Sequence, residues 1–355
     1  MQHMVLMQNK GPSISISHEI NSLWDRGRKF LGSRFPLMGG AMSWVSERNL
    51  VSSISEAGGF GVIACGSMGV NELAEEIDAT FQLTNKPFGV NLIIMHPDLD
   101  RLVDVCLSKG VGHIVLAGGM PTRSLIDKIR NKDTKVISFA PTLPVGKKLV
   151  RQGVDALIIE GMEAGGHIGP VSTSVLAQEI LPNIEDVPIF VGGGIGHGEM
   201  IASLLSMGAS GCQIGTRFVC ASESIAHPDF KKAFIRASAR DAQVTVQVDP
   251  DFPVIPVRAI HNAGSKEFIM VQKDSIKKYR SGEISQKEAQ LEIEHFWAGA
   301  LRKAVIDGDT ESGSLMAGQS VSLVKQIQSV KDIFGELIDQ MESQVNCELK
   351  DLNNG

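Results

Sequence analysis

The sequence predicts an α/β protein folded as a (β/α)8 barrel, a TIM barrel carrying an inserted or appended helical segment after its eighth strand. Eight short apolar runs lie between residues 35 and 216. They are continuous rather than alternating, which marks strands covered on both faces, as in a parallel sheet. The stretches between them carry apolar residues at three-to-four spacing, the helical period. Eight βα units in succession fit a closed barrel. An open doubly wound sheet shows the same alternation and is the alternative.

The runs, in order, are "FPLMGGAM" (35–42), "FGVIAC" (60–65), "FGVNLII" (88–94), "HIVLAGG" (113–119), "KVISFAP" (135–141), "DALIIEG" (155–161), "PIFVGGG" (188–194) and "GCQIGT" (211–216). Helical stretches between them include "ERNLVSSISEAG" (47–58), "VNELAEEIDATFQL" (70–83), "PDLDRLVDVCLSKG" (97–110) and "GEMIASLLSMG" (198–208). Glycines close several helices, as in Ala57-Gly58-Gly59, Lys109-Gly110, Gln152-Gly153 and Met207-Gly208, since a left-handed C-cap suits glycine. After the eighth run the rhythm breaks. Residues 222–239 read as helical, 240–285 as mixed, 288–309 as a helix, and 320–345 as a terminal helix or pair. The expected organisation is an N-terminal extension over 1–34, the barrel over 35–239, an insertion or lid over 240–295, and C-terminal helices packing on the barrel over 296–355.

Composition narrows the function classes. The net charge of −6 gives no electrostatic footprint for nucleic acid. No apolar stretch approaches the ~20 residues of a membrane helix, and the opening "MQHMVLMQNKGPSISIS" lacks the charged-then-apolar order of a secretory signal. The five cysteines form no C-x-x-C pair. Free, mostly buried thiols in a reducing cytoplasm are therefore expected.

The chemistry-bearing residues fall just after the strands, where a barrel carries its site. In "EGMEAGGHIGP" (160–170) glycines flank His167, an imidazole able to move protons near neutral pH. The plain reading is a tight loop; the sharper one is a backbone trimmed for a ligand. Glu160 and Glu163 bracket that loop, either to orient the imidazole or to serve as solvated or helix-capping groups. "PIFVGGGIGHGEM" runs strand, glycines, helix, a cradle for phosphate. "CQIGTRF" (212–218) adds Gly215-Thr216 on the next strand end, and phosphate sites in barrels commonly use the seventh and eighth loops. His96, His113, His197, His227 and His295 fit structural positions. H-E-x-x-H and G-x-S-x-G are absent, so neither a metal site nor a serine hydrolase is expected.

Taken together, these motifs resemble the flavin barrels of the nitronate monooxygenase (2-nitropropane dioxygenase) family, which includes the flavin-dependent enoyl-acyl-carrier-protein reductases. The matching pieces are "PLMGGAMSW", "KPFGVNL", Glu-Ala-Gly-Gly-His, Gly-Gly-Ile and "QIGTRF", over roughly residues 33–335. Gly39 departs from the pattern, standing where relatives carry Gln. The resemblance implies a non-covalent FMN at the barrel mouth, its phosphate on Gly193, Gly194, Gly215 and Thr216. The ring would lie near Gly40, Ala41, Met42, Asn91 and Gln213, with Gly165 and Gly166 beside it, and His167 would face the substrate as catalytic residue. Two reactions are implied: oxidation of an alkyl nitronate with O2 to a carbonyl compound and nitrite, placed first, or NADH- or NADPH-dependent reduction of an enoyl thioester. A non-catalytic flavin-binding barrel is the remote third. The expected partner is one of these small molecules, with a homodimer left open.

Overall fold

The computed structural model describes residues 16–252 and 254–353, with 346–353 as backbone alone. Residues 1–15 of the N-terminal extension read from the sequence, and the side chain of Cys347, lie outside the described residues. In chain order the strands are β1 (Leu37–Gly39), β2 (Gly61–Ala64), β3 (Phe88–Ile93), β4 (His113–Ala117), β5 (Lys135–Phe139), β6 (Ala156–Glu160), β7 (Gly166–His167), β8 (Ile189–Gly192), β9 (Gly211–Ile214), β10 (Ala242–Val244), β11 (Val257–Ile260) and β12 (Leu315–Met316). The helices are α1 (His18–Leu23), α2 (Asp25–Leu31), α3 (Arg48–Glu56), α4 (Val70–Leu83), α5 (Leu99–Ser108), α6 (Arg123–Arg130), α7 (Leu143–Gln152), α8 (Thr173–Ile180), α9 (Gly198–Ser206), α10 (Thr216–Val219), α11 (Pro228–Arg236), α12 (Ala263–Ser281), α13 (Gln286–Val305) and α14 (Val330–Asn353).

Each of the eight apolar runs contains one strand of a single sheet, ordered β1-β9-β8-β6-β5-β4-β3-β2 with neighbouring strands parallel. The two ends meet. Met38 bridges Phe60, and the Gly39 and Phe60 amides donate to the Phe60 and Leu37 carbonyls, each at 2.9 Å. The sheet is thus a closed barrel, not an open doubly wound one.

Alternation along each strand sorts the side chains into two cores. One set packs against the surrounding helices. The other fills the lumen: Met38, Phe60, Val62, Val115, Ile137, Ala156, Ile158 and Phe190, with Leu31 and Phe30 of α2 closing the lower end. His113 belongs to that closure, its Nε2 3.0 Å from the Phe30 carbonyl. Helix limits follow local signals. α7 starts at Thr142, whose hydroxyl accepts from the Val145 amide, and stops at Gly153 in a left-handed turn.

The segment after β9 departs from its sequence reading. Residues 222–239 contain only the shorter α11. Within 240–285, expected as mixed, α12 runs for 19 residues between the Asn262 cap and Gly282. Its buried face is sparse (Phe268, Gln272, Ser275, Ile276) and its other faces are charged, so the helical period is faint in sequence. The division expected at 295/296 falls inside α13, which joins both segments. α12 and α13 form a hairpin around Phe252, Val257, Phe268, Ile276, Ala289, Ile293 and Trp297, a core separate from the barrel's. β10, β11 and β12 make a small antiparallel sheet, and β7 pairs with β11. The terminal α14 packs over α9 and α3.

Candidate active site

Above the apolar plug, the lumen turns polar at the C-terminal ends of the strands. Asn91 aligns with Val115 of the lumen core and is buried. Glu160, Gly192 and Gln213 stand in one row across β6, β8 and β9. The Gln213 side-chain amide donates to Glu160 Oε2 at 3.1 Å over Gly192. A Cβ on Gly192 would sit 3.5 Å from both of those polar atoms. Burial pushes the Glu160 carboxyl up to about 7, against the lowering effects of the Gln213 bond and of His167.

The glycine turns meet on neighbouring strand ends. Gly193 and Gly194 both adopt left-handed conformations (φ 94° and 72°), which glycine alone takes readily. A Cβ on Gly193 would lie 2.8 Å from the Gly161 carbonyl oxygen, and one on Gly194 would lie 3.0 Å from the Glu163 side chain. Gly40 approaches Gly215 so closely that a Cβ there would be 3.1 Å from its Cα. Met42 lies against Gly215, and the Ser46 hydroxyl ties the Gly40–Met42 turn by donating to the Gly40 carbonyl and accepting from the Met42 amide. Gln213 on β9, and Gly40, Ala41, Met42, Gly215, Thr216, Gly193 and Gly194 just beyond the ends of β1, β9 and β8, therefore gather at three adjacent strand ends. Asn91, on β3, reaches the same lumen from the far side of β2.

The Gly-Gly-His loop is held from outside the barrel. As β7, Gly166 and His167 pair with Arg258 and Val257 of β11. The buried Arg258 guanidinium donates to the Met162 and Ala242 carbonyls, and its burial lowers its pKa. A Cβ on Gly165 would strike the Ala317 backbone at 2.6 Å. The segment "SLMAGQS" (314–320), which by sequence is only a loop with a glycine, lies against this turn. Its Gly318 amide donates to Thr216 Oγ1 at 3.0 Å, and its Gln319 amide to the Glu163 carbonyl at 2.9 Å.

Neither loop carboxylate contacts His167. Glu160 bonds Gln213, and Glu163 accepts from the amide and hydroxyl of Thr173 at the start of α8, at 2.9 and 3.0 Å. Glu163 therefore has the helix-capping role. The carboxylate at His167 is Glu294 of α13, with Oε2 3.0 Å from Nε2. Eight residues on, Arg302 of the same helix sits over the Trp44 ring at 5.7 Å. α13 thus touches the loops after both β6 and β1. Glu294, Arg258 and the buried Thr173 carry no motif of their own. Their only sequence signal is position, a charge on a helix face or a hydroxyl at a helix start.

Cys65, Cys106, Cys212 and Cys220 are free and buried, and burial raises the thiols of Cys65 and Cys220 to about 12. His227 caps α11, accepting from the Asp229 amide. Among the described residues no cluster of three or more His, Cys, Asp or Glu could hold a metal ion, and no helix is long and apolar enough to cross a membrane.

Against known proteins, the sequence model of the family described as Nitronate monooxygenase matches residues 26–101 and 97–340. FabK from Thermotoga maritima superposes with a TM-score of 0.81 at 32% sequence identity, covering 95% of this chain and 100% of that one. The (3aS,4S,5R,7aS)-5-hydroxy-7a-methyl-1-oxo-octahydro-1H-indene-4-carboxyl-CoA dehydrogenase of Mycobacterium tuberculosis is 28% identical over 87% of this chain and 94% of its own length. A probable nitronate monooxygenase of Staphylococcus aureus is 25% identical over 85% of this chain and 93% of its own.

Proposed function

The chain belongs to the nitronate monooxygenase family, whose matched relatives are oxidoreductases, and we propose that it is an FMN-dependent enzyme that oxidises alkyl nitronates with O2 to a carbonyl compound and nitrite. The observation that carries the reading is the cradle at the barrel mouth. Three neighbouring strands end in glycine turns where side chains would fill the space, above a polar row of Glu160 and Gln213. Backbone amides in such turns suit phosphate, so Gly193, Gly194, Gly215 and Thr216 would hold that end. Gly40, Ala41, Met42, Asn91, Gln213, Gly165 and Gly166 would flank the ring. When bound, FMN supplies the electron transfer.

The chain's own residues manage position and protons. His167 would take a proton from the carbon beside the nitro group when the neutral nitroalkane is offered. That C–H bond breaks, its electron pair passes onto the nitro group, and the imidazolium later releases its proton to solvent. The β7–β11 pairing and Arg258 fix the loop that carries it.

A second reading, reduction of an enoyl thioester by NADH or NADPH, is favoured by two of the relatives. FabK, an enoyl-acyl-carrier-protein reductase, is the most similar of the three relatives above and aligns over its whole length, and the mycobacterial relative is named for a CoA thioester. Purified protein tests both. A yellow preparation bleached anaerobically by propionate-3-nitronate, and not by NADH or NADPH, supports the oxidase. Rapid bleaching by a reduced nicotinamide cofactor supports the reductase. Protein that is colourless and gains no flavin absorbance with added FMN defeats both.

A further inference from the structure

We propose that Glu294 is a positioning residue for His167, holding its imidazole as the Nε2–H tautomer so that Nδ1 is the nitrogen that exchanges protons with the substrate. The inference deepens the reading of His167 given above and rests on it. A carboxylate can only accept a hydrogen bond. At 3.0 Å from Glu294 Oε2, Nε2 must therefore carry the hydrogen of the neutral ring. Nδ1 then keeps the free electron pair.

Both partners are anchored, although neither is deeply buried. The side chains of His167 and Glu294 are 45% and 31% exposed, so an unrestrained imidazole would rotate. The His167 backbone is fixed by its pairing with Val257. Glu294 is flanked on α13 by Ile293 and Trp297, both buried in the hairpin core. It is therefore carried by a rigid element, 127 residues along the chain from the ring it meets. Among groups on the other packed elements, Glu160 of β6 acts on His167 electrostatically. Arg258 of β11 is engaged by two carbonyls, and Glu163 by Thr173. Glu294 alone among these hydrogen-bonds the ring.

The consequence is a substrate-dependent requirement. Taking a proton from a neutral nitroalkane creates an imidazolium, which the carboxylate stabilises while keeping Nδ1 aimed at the carbon. A preformed nitronate has already lost that proton and asks less of the pair.

The test uses the full-length flavin-loaded protein with selectively ¹⁵N-labelled histidine, His167 being identified by the signal missing from His167→Asn. Long-range ¹H–¹⁵N correlation spectra report the tautomer without any turnover. The expected wild-type pattern is Nε2–H; Nδ1–H overturns the proposal. In Glu294→Leu the two tautomers mix, and turnover falls about 10–100-fold, the range found when the carboxylate behind a metal-bound histidine is removed. That loss is expected to be about ten times larger for the neutral nitroalkane than for its nitronate. Glu294→Gln, which keeps the size and can donate to Nε2, shifts the ring toward Nδ1–H. Equal losses on both substrates would make Glu294 merely structural, and faster turnover would make it a cover over the working nitrogen; either overturns the proposal. Unchanged nitroalkane turnover in His167→Ala would instead defeat the role of His167, while leaving the tautomer measurement standing on its own.

Discussion

Glu160 and Gln213 hydrogen-bond at 3.1 Å across the end of β8, reaching each other because the strand between them ends in Gly192. Their row is the first polar layer above the apolar lumen. It places a carboxyl with a pKa near 7 where the proposed ring would rest.

That carboxyl makes stability depend on pH in a defined direction. Its folded pKa of about 7 lies above the ordinary 4.5. Below pH 4.5 it is neutral whether folded or unfolded. Between 4.5 and 7 the unfolded chain releases the proton and the folded one keeps it, so stability falls as pH rises. Above 7 the full cost of the buried charge is present, at most about 3 kcal/mol at 1.36 kcal/mol per pKa unit. Glu160→Gln removes this dependence. Thermal melts should show the variant gaining on wild type from pH 5 to pH 8. A constant difference would mean that Glu160 titrates normally.

His167→Ala should keep its FMN and lose about 10²–10⁴-fold in turnover of a neutral nitroalkane, the usual weight of a general base. Flavin absorbance per protein and steady-state rates check the two halves separately. Loss of flavin would instead mark the histidine as part of the binding cradle.

The barrel was legible because each strand is a short continuous apolar run, six of the eight closed by a glycine within two residues and the runs of β3 and β5 not, and because packing on both faces leaves no alternation to confuse. The glycine turns were legible for a related reason: Gly193 and Gly194 need backbone conformations that few other residues adopt. Glu294 was not legible. It meets His167 only because the two-residue strand β7 adds to β11 and α13 packs beside it, and neither event leaves a local pattern. Arg258 is hidden in the same way, its partners being backbone carbonyls at Met162 and Ala242. The long helix α12 escaped because its exposed faces are charged and its buried face is narrow.

Gly193→Ala and Gly169→Ala, on the two turns, should behave oppositely. The first forces alanine into a left-handed conformation and a Cβ within 2.8 Å of the Gly161 carbonyl oxygen. The conformation alone costs about 1–2 kcal/mol, and displacing the turn should weaken FMN binding as well as lower the melting temperature. At Gly169 a Cβ would meet nothing within 4 Å, so that variant should match wild type in both. FMN titration by fluorescence quenching and thermal melts distinguish them. Equal FMN affinity in the two variants would remove Gly193 from the cradle.

Thr173 links the capping carboxylate to the same turn. The residue is 3% exposed, and its hydroxyl lies 3.0 Å from Glu163 Oε2, 2.9 Å from the Gly193 carbonyl and 3.4 Å from the Gly192 carbonyl. One O–H cannot donate to three acceptors, so every position of its proton leaves some of them dependent on other partners. Glu163 retains the Thr173 amide in any variant, and the carbonyls have no such reserve from this residue. Thr173→Val keeps the shape and deletes the donor; the Gly192 carbonyl keeps the Gly161 amide at 3.1 Å, so the loss falls on the part-buried Gly193 carbonyl, at about 1–3 kcal/mol. Thr173→Ser restores the hydroxyl. The expected order of both melting temperature and FMN affinity is wild type, then Ser, then Val. If Val lowers the melting temperature while FMN affinity stays at the wild-type value, the hydroxyl stabilises α8 but does not hold the Gly193 turn in its binding shape.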